Sequence, residues 1–212
     1  MKLIHKSTNR QLRGLALATM AWVLCSTSVD HPEWRVWHFQ GPDVSKSNTA
    51  FVGMWRMCIY PYANNSDNVG VCHRYSYHNT FIPTDIRVSQ HLMLVSSLLS
   101  LIGTVTITVS VWNMYTRKQQ KKVFCNPFCF IGILNIIVSS FVSLSFLLNY
   151  VSIKRQVGIA FPPSFHVPSL LYTQEIGSAM VAAGVAAFLF LSSGIIFISF
   201  NFSLDTYVYC RV

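Results

Sequence analysis

Charge is what this chain has least of. Only 11% of its 212 residues are Asp, Glu, Lys or Arg, against about 25% in soluble domains. The scarcity is concentrated. Leu92 to Met114, Pro127 to Asn149 and Ile176 to Phe200 contain no Asp, Glu, His, Lys or Arg. Each block reaches the roughly 20 residues that a helix needs to cross about 30 Å of hydrocarbon. Three such blocks together point to a bilayer rather than to buried core helices. Catalysis inside a membrane would need ionisable groups within the spans, and these interiors offer hydroxyls and the amide of Asn135. The chain also lacks a metal-ligand cluster and a Gly-rich phosphate loop. These absences argue against an enzyme, and no cofactor or metal is expected.

Acidic residues are scarce as well: 7 against 16 Lys and Arg, for a net charge of +9. The distribution of charge shows what the excess means. Lys2, Lys6, Arg10 and Arg13 precede or open a fourth apolar stretch, and Arg117, Lys118, Lys121 and Lys122 lie between the Leu92 to Met114 and Pro127 to Asn149 blocks. The positive-inside rule places both clusters in the cytoplasm. The basicity is thus a topology signal plus attraction to anionic inner-leaflet lipid, and nucleic acid is not an expected partner. The fourth stretch, Leu12 to Val29, also resembles a secretory signal peptide with its small-residue end, Ser26-Thr27-Ser28. Its long polar start and the late Trp22 favour a helix that is kept.

The expected order is a cytoplasmic N-terminus (1–11), a first span (12–29), a large extracellular loop (30–91) and a second span (92–114). A cytoplasmic loop (115–126), a third span (127–149), a second extracellular loop (150–175), a fourth span (176–200) and a cytoplasmic tail (201–212) follow. In the large loop, Trp34 to Gln40, Ala50 to Tyr60 and Val69 to Tyr77 are rich in β-branched and aromatic residues. Turn-forming runs separate them, which predicts a small antiparallel sheet. Cys58 and Cys72 are the only cysteines on that side, and the simplest reading is a disulfide. A zinc site with His73 is the alternative, but it falls short of a ligand set.

Asn64 opens an Asn-Asn-Ser sequon in a predicted turn and is a glycosylation candidate. Cys125 and Cys129 flank the start of the third span; they are palmitoylation candidates or small buried hydrophobes. Terminal Val212 suits a PDZ domain, which captures a carboxy-terminal peptide as an added strand.

Trp34-Arg35-Val36, Gly53-Met54-Trp55, Cys58 and Cys72 together resemble the signature of the claudin family, with Met54 in place of the usual Leu. Asp85-Ile86 and Leu92-Met93 are similar to that family's short extracellular helix and its entry into the second span. Phe165, Pro168 and Glu175-x-Gly177 resemble its second loop. The resemblance runs over nearly the full chain. Three features depart from the family: the 13 residues between the two cysteines, Gln90 where most members carry Arg, and the absence of a penultimate Tyr.

The resemblance implies a four-transmembrane-helix bundle with a small extracellular antiparallel β-sheet, four strands from the first loop and one from the second. Trp34, Gly53 and Trp55 would hold that sheet at the membrane surface. It further implies a tight-junction protein of the plasma membrane that associates with itself and other claudins, in cis and in trans, to form or modulate the paracellular barrier. Phe165 and Pro168 are then trans-contact candidates. His73 and Arg74 are selectivity candidates for a mildly anion-preferring pore. The alternative is a four-span regulatory subunit of a channel or receptor that does not polymerise. Tetraspanins and connexins are excluded, because their patterns need cysteines in the second loop, which here has none.

Overall fold

A computed structural model describes residues 2–40, 47–60, 70–116, 127–165 and 171–209. Four long helices and five strands make up these segments. Helix α1 covers Lys2–Asp30, α2 Thr84–Tyr115, α3 Pro127–Lys154 and α4 Ser178–Tyr209. Each contains a stretch apolar and long enough to cross a membrane: Asn9–Asp30, Thr84–Asn113, Pro127–Lys154 and Ser178–Ser199. Side chains such as Leu98 and Phe188 are more than 60% exposed on these helices. Lipid would cover such surface, whereas water penalises it at about 25 cal/mol per Å².

The strands are β1 Arg35–Gln40, β2 Ser47–Val52, β3 Arg56–Tyr60, β4 Val71–Arg74 and β5 Leu171–Ile176. They form one antiparallel sheet in the order β4-β3-β2-β1-β5. The run from Ala50 to Tyr60, which reads as a single strand in the sequence, is in fact two. Gly53 interrupts it, and its N–H donates to Arg56 O at 2.9 Å, closing a tight turn. A Cβ on Gly53 would sit 2.8 Å from His31 O and Pro32 Cα, so no other residue fits this turn.

Helix α2 also starts earlier than its apolar block. Pro83 O accepts the N–H of Arg87 at 3.2 Å, and Asp85 lies in the first turn. An acid there is favoured by the partial positive charge of a helix N-terminus. At the other end of the chain α4 runs on to Tyr209, through most of the stretch expected as tail.

The chain divides into two compact units. One comprises Met1–Cys25, Val95–Val142 and Val185–Val212. Its core gathers Ala18, Ile107, Phe128, Ile131 and Phe197. Small residues bring backbones together here: a Cβ on Gly194 would meet Gly132 O at 2.8 Å. Buried polar bonds cross between helices, from Asn135 Nδ2 to Ser193 Oγ (3.1 Å) and from Ser193 Oγ to Gly14 O (2.8 Å). In membrane proteins such bonds contribute about 0.6 kcal/mol each on average.

The second unit comprises Ser26–Leu94 and Ser143–Gly184 and holds the sheet. Alternation along the strands turns Trp37, Phe39, Ala50, Val52 and Met57 to one face, as the period of two requires. That face packs with Tyr75, Ile82 and Ile86, and Phe81, Phe161 and Phe165 close over it.

Candidate functional site: an open sheet edge and its buried anchor

The anchor begins at Trp34. Its indole is 1% exposed and donates from Nε1 to Ser28 O, at 2.7 Å, in the last turns of α1. A buried indole needs such a partner, and this one fixes where β1 leaves the helix. Arg35 follows, also 1% exposed. Its guanidinium donates from Nη2 to Asp85 Oδ2 (2.7 Å), from Nη1 to Ser152 Oγ (2.9 Å), and from Nε and Nη2 to Asn149 Oδ1 (3.1 and 2.7 Å). Asn149 Nδ2 in turn donates to Ser89 Oγ at 2.9 Å. One side chain of β1 is thereby bonded to α2 and α3. A charge taken fully out of water is tolerated only with such pairing.

Other bonds fasten the Gly53 turn. Gln90 Nε2 donates to Met54 O, and the Tyr75 hydroxyl donates to Gly53 O. Burial pushes the Tyr75 phenol above its ordinary pKa, an effect the nearby Arg35 charge only partly offsets. It therefore remains a protonated donor at physiological pH. Gln90, one of the departures from the resembled family, makes a neutral bond to the turn through its amide. Trp55 is half-buried, with its ring centroid 5.9 Å from that of Tyr77.

At the far end of the sheet lies β4. Cys58 and Cys72 are bonded to each other across β3 and β4, with Cα atoms 4.1 Å apart. That spacing belongs to a pair that does not exchange ladder bonds, so the backbone N–H and C=O of Cys72 point away from β3. Val71, Cys72 and Arg74 are exposed, and among the described residues no strand pairs with this outer edge. Arg74 stands opposite Arg56 in the register. Arg56 is paired with Asp30 at 2.9 Å, so the Arg74 charge faces outward next to one already offset. His73 packs against Phe165, with ring centroids 4.6 Å apart and the rings tilted by 37°. Phe165 also lies 5.6 Å from the Phe81 ring and 5.4 Å from that of Phe161, so it is seated in its own loop and only partly exposed. Cys129 is half-buried in the first turn of α3. Asn64, Cys125, Pro168 and Val212 lie outside the described residues.

In the sequence Arg35 reads as part of a motif, whereas Asn149 and Ser152, which complete its site, belong to none. The available signal was an amide at the very end of a charge-free span. Among the described residues no group of three or more His, Cys, Asp or Glu could hold a metal ion.

Four membrane-crossing helices with one five-stranded antiparallel sheet define a four-span membrane protein of claudin-like fold. No family model matches the sequence. Among curated proteins it is similar to claudin-4 of Canis lupus familiaris, 29% identical over 104 residues, which are 49% of this chain and 47% of that one. Claudin-4 of Homo sapiens is 25% identical over the same shares. A claudin-like protein, ZF-A9, of Danio rerio is 27% identical over 97 residues, 46% of this chain and 44% of the relative. The chain spans about half the length of the curated relatives it matches. With the fold, these similarities support a divergent member of the claudin family.

Proposed function

We propose that this chain is a tight-junction protein of the plasma membrane that mediates contact between cells and forms or modulates the paracellular barrier. It does so by associating with itself and with other claudins, in cis and in trans. The observation that carries this reading is the outer edge of β4, unpaired among the described residues, on a sheet tied by Arg35 to two membrane-spanning helices. An uncovered edge offers unpaired backbone groups to a further strand, and a rigid base spares the entropy of ordering that edge on association. The relatives named claudin-4 support the same class.

Freeze-fracture electron microscopy of junction-free fibroblasts expressing the chain tests the reading. Continuous strands at cell contacts are expected. Protein delivered to the surface without strands would favour the non-polymerising regulatory subunit, or a claudin that needs a co-assembling one.

Phe165 and Pro168 are the proposed trans contacts. Phe165→Asp would place a carboxylate among Phe81, Phe161 and His73, at a cost of about 2 kcal/mol in loop order. Surface delivery should persist while enrichment at contacts is lost, and unchanged enrichment would reject the role. For a conducting assembly, Arg74 and His73 set a mild anion preference. Reversing charge in Arg74→Glu should lower the chloride-to-sodium permeability ratio roughly twofold to fivefold, since one contact in water is worth about 1 kcal/mol. An unmoved paracellular dilution potential would sink that assignment. The reading extends to a PDZ scaffold at Val212, lipidation at Cys125 and Cys129, and a glycan on Asn64.

A further inference from the structure

The two edges of the sheet are not alike. At the edge opposite β4, strand β5 pairs with β1 and places Trp37 opposite Gln174. The N–H of Gln174 donates to Gln156 Oε1 at 2.9 Å, and Gln156 Nε2 donates back to Gln174 O at 3.4 Å. A side-chain carboxamide carries the same donor and acceptor as a peptide group. Gln156 therefore meets the outward-facing peptide groups in the middle of β5 as a neighbouring strand would. Gln174 Nε2 adds a bond to Val157 O at 2.9 Å.

The backbone of Gln156 is as unusual as its side chain. It is the one non-glycine residue with positive φ, at 51°, among the described residues. The bonds around it define the position. Gln156 N–H donates to Ile153 O at 3.0 Å, and Val157 N–H donates to Ser152 O at 3.1 Å. This is the Schellman ending of α3, with Gln156 at the left-handed position that glycine ordinarily fills. An L-residue is strained there and a branchless glycine is not. Helix termination alone would favour Gly at 156. A residue that keeps the strain and has its amide on β5 is used for the amide.

We propose that Gln156 is an edge cap. It closes β5 to strand addition and leaves β4 as the single growing edge of the sheet, which makes association through the sheet one-sided. This deepens the edge-association reading and rests on it for the partner, a second copy of this chain. Edges blocked by local devices are how sheets avoid uncontrolled pairing, and a lone side chain does so here without lengthening the loop.

The test uses the full chain purified in dodecyl maltoside micelles, as wild type and as Gln156→Gly. Glycine relieves the left-handed strain, so the thermal midpoint should hold or rise. Residue-resolved hydrogen exchange should show the Gln174 amide exchanging about tenfold faster in the variant, as expected for loss of one bond. Thr173 and Glu175, whose amides alternate toward β1, should stay within about twofold. Size-exclusion chromatography should show larger assemblies of Q156G than of wild type. Gln156→Met, which keeps length and strain but loses the amide, should give the same exchange pattern and guards against a special effect of glycine.

An unchanged Gln174 rate in both variants overturns the cap. Faster exchange without larger assemblies overturns the blocking role and reduces the bond to a loop fastening. The exchange result does not depend on whether the wild type forms strands in cells, so failure of the functional reading and failure of the cap are separable.

Discussion

Arg35→Leu is expected to cost about 3–5 kcal/mol, the range for removing one partner of a buried ion pair. The variant should unfold at markedly lower denaturant in detergent and be retained inside cells. Two consequences add up. Asp85 keeps a charge with 20% of its side chain exposed, and Asn149 Oδ1 loses two donors at once. Arg35→Lys should recover only part of the loss, because one ammonium cannot reproduce the planar fork that reaches Asp85, Asn149 and Ser152 together. Arg35→Leu with Asp85→Leu should be at least about 1 kcal/mol more stable than Arg35→Leu alone, since the stranded charge is gone. Unfolding of Arg35→Leu within about 0.5 kcal/mol of wild type would show that the network is not what holds β1.

Gly177→Ala should be comparably damaging for a different reason. A Cβ there would stand 2.0 Å from Glu33 O and 2.6 Å from Glu33 C. Both are backbone atoms and cannot swing aside. Separating the strands would also break the bonds from Gly177 N–H to Trp34 O (3.1 Å) and from Ala179 N–H to Glu33 O (3.0 Å). A loss of about 3 kcal/mol or more is expected, at the upper end for overpacking. Gly103→Ala is the control. Its nearest neighbour is Leu134 Cδ2 at 3.3 Å, the end of a flexible side chain, so the cost should stay below about 1 kcal/mol. Equal thermal midpoints for Gly177→Ala and wild type would contradict the close approach.

How much of this was legible in the sequence depended on the range of the interaction. The helical blocks were legible, because apolar composition over 20 residues is a local property. Three sheet runs were legible from β-branched and aromatic content, but the break at Gly53 was not. It depends on His31 and Pro32, some 20 residues away, crowding the space a Cβ would need. The fifth strand came only through family resemblance, since Leu171–Ile176 has no strong alternation of its own. Phe165 read as a loop tip. Its burial on His73, Phe81 and Phe161 needed the second loop to be brought beside β4.

The sequence by itself determined a four-span membrane chain, a sheet-forming loop and a cysteine pair on that loop. These follow from hydropathy, residue shape and chain order, all of which act over short separations. Only the tertiary structure decided that Arg35 is a buried hub, that Asn149 and Ser152 complete it, and that the Gln156 amide bonds the backbone of β5 while no strand among the described residues pairs with the outer edge of β4. Each of those depends on partners from 18 to 117 residues away. Their free energy comes from desolvation and geometry once the chain is folded, and neither quantity is a property of any local stretch of sequence.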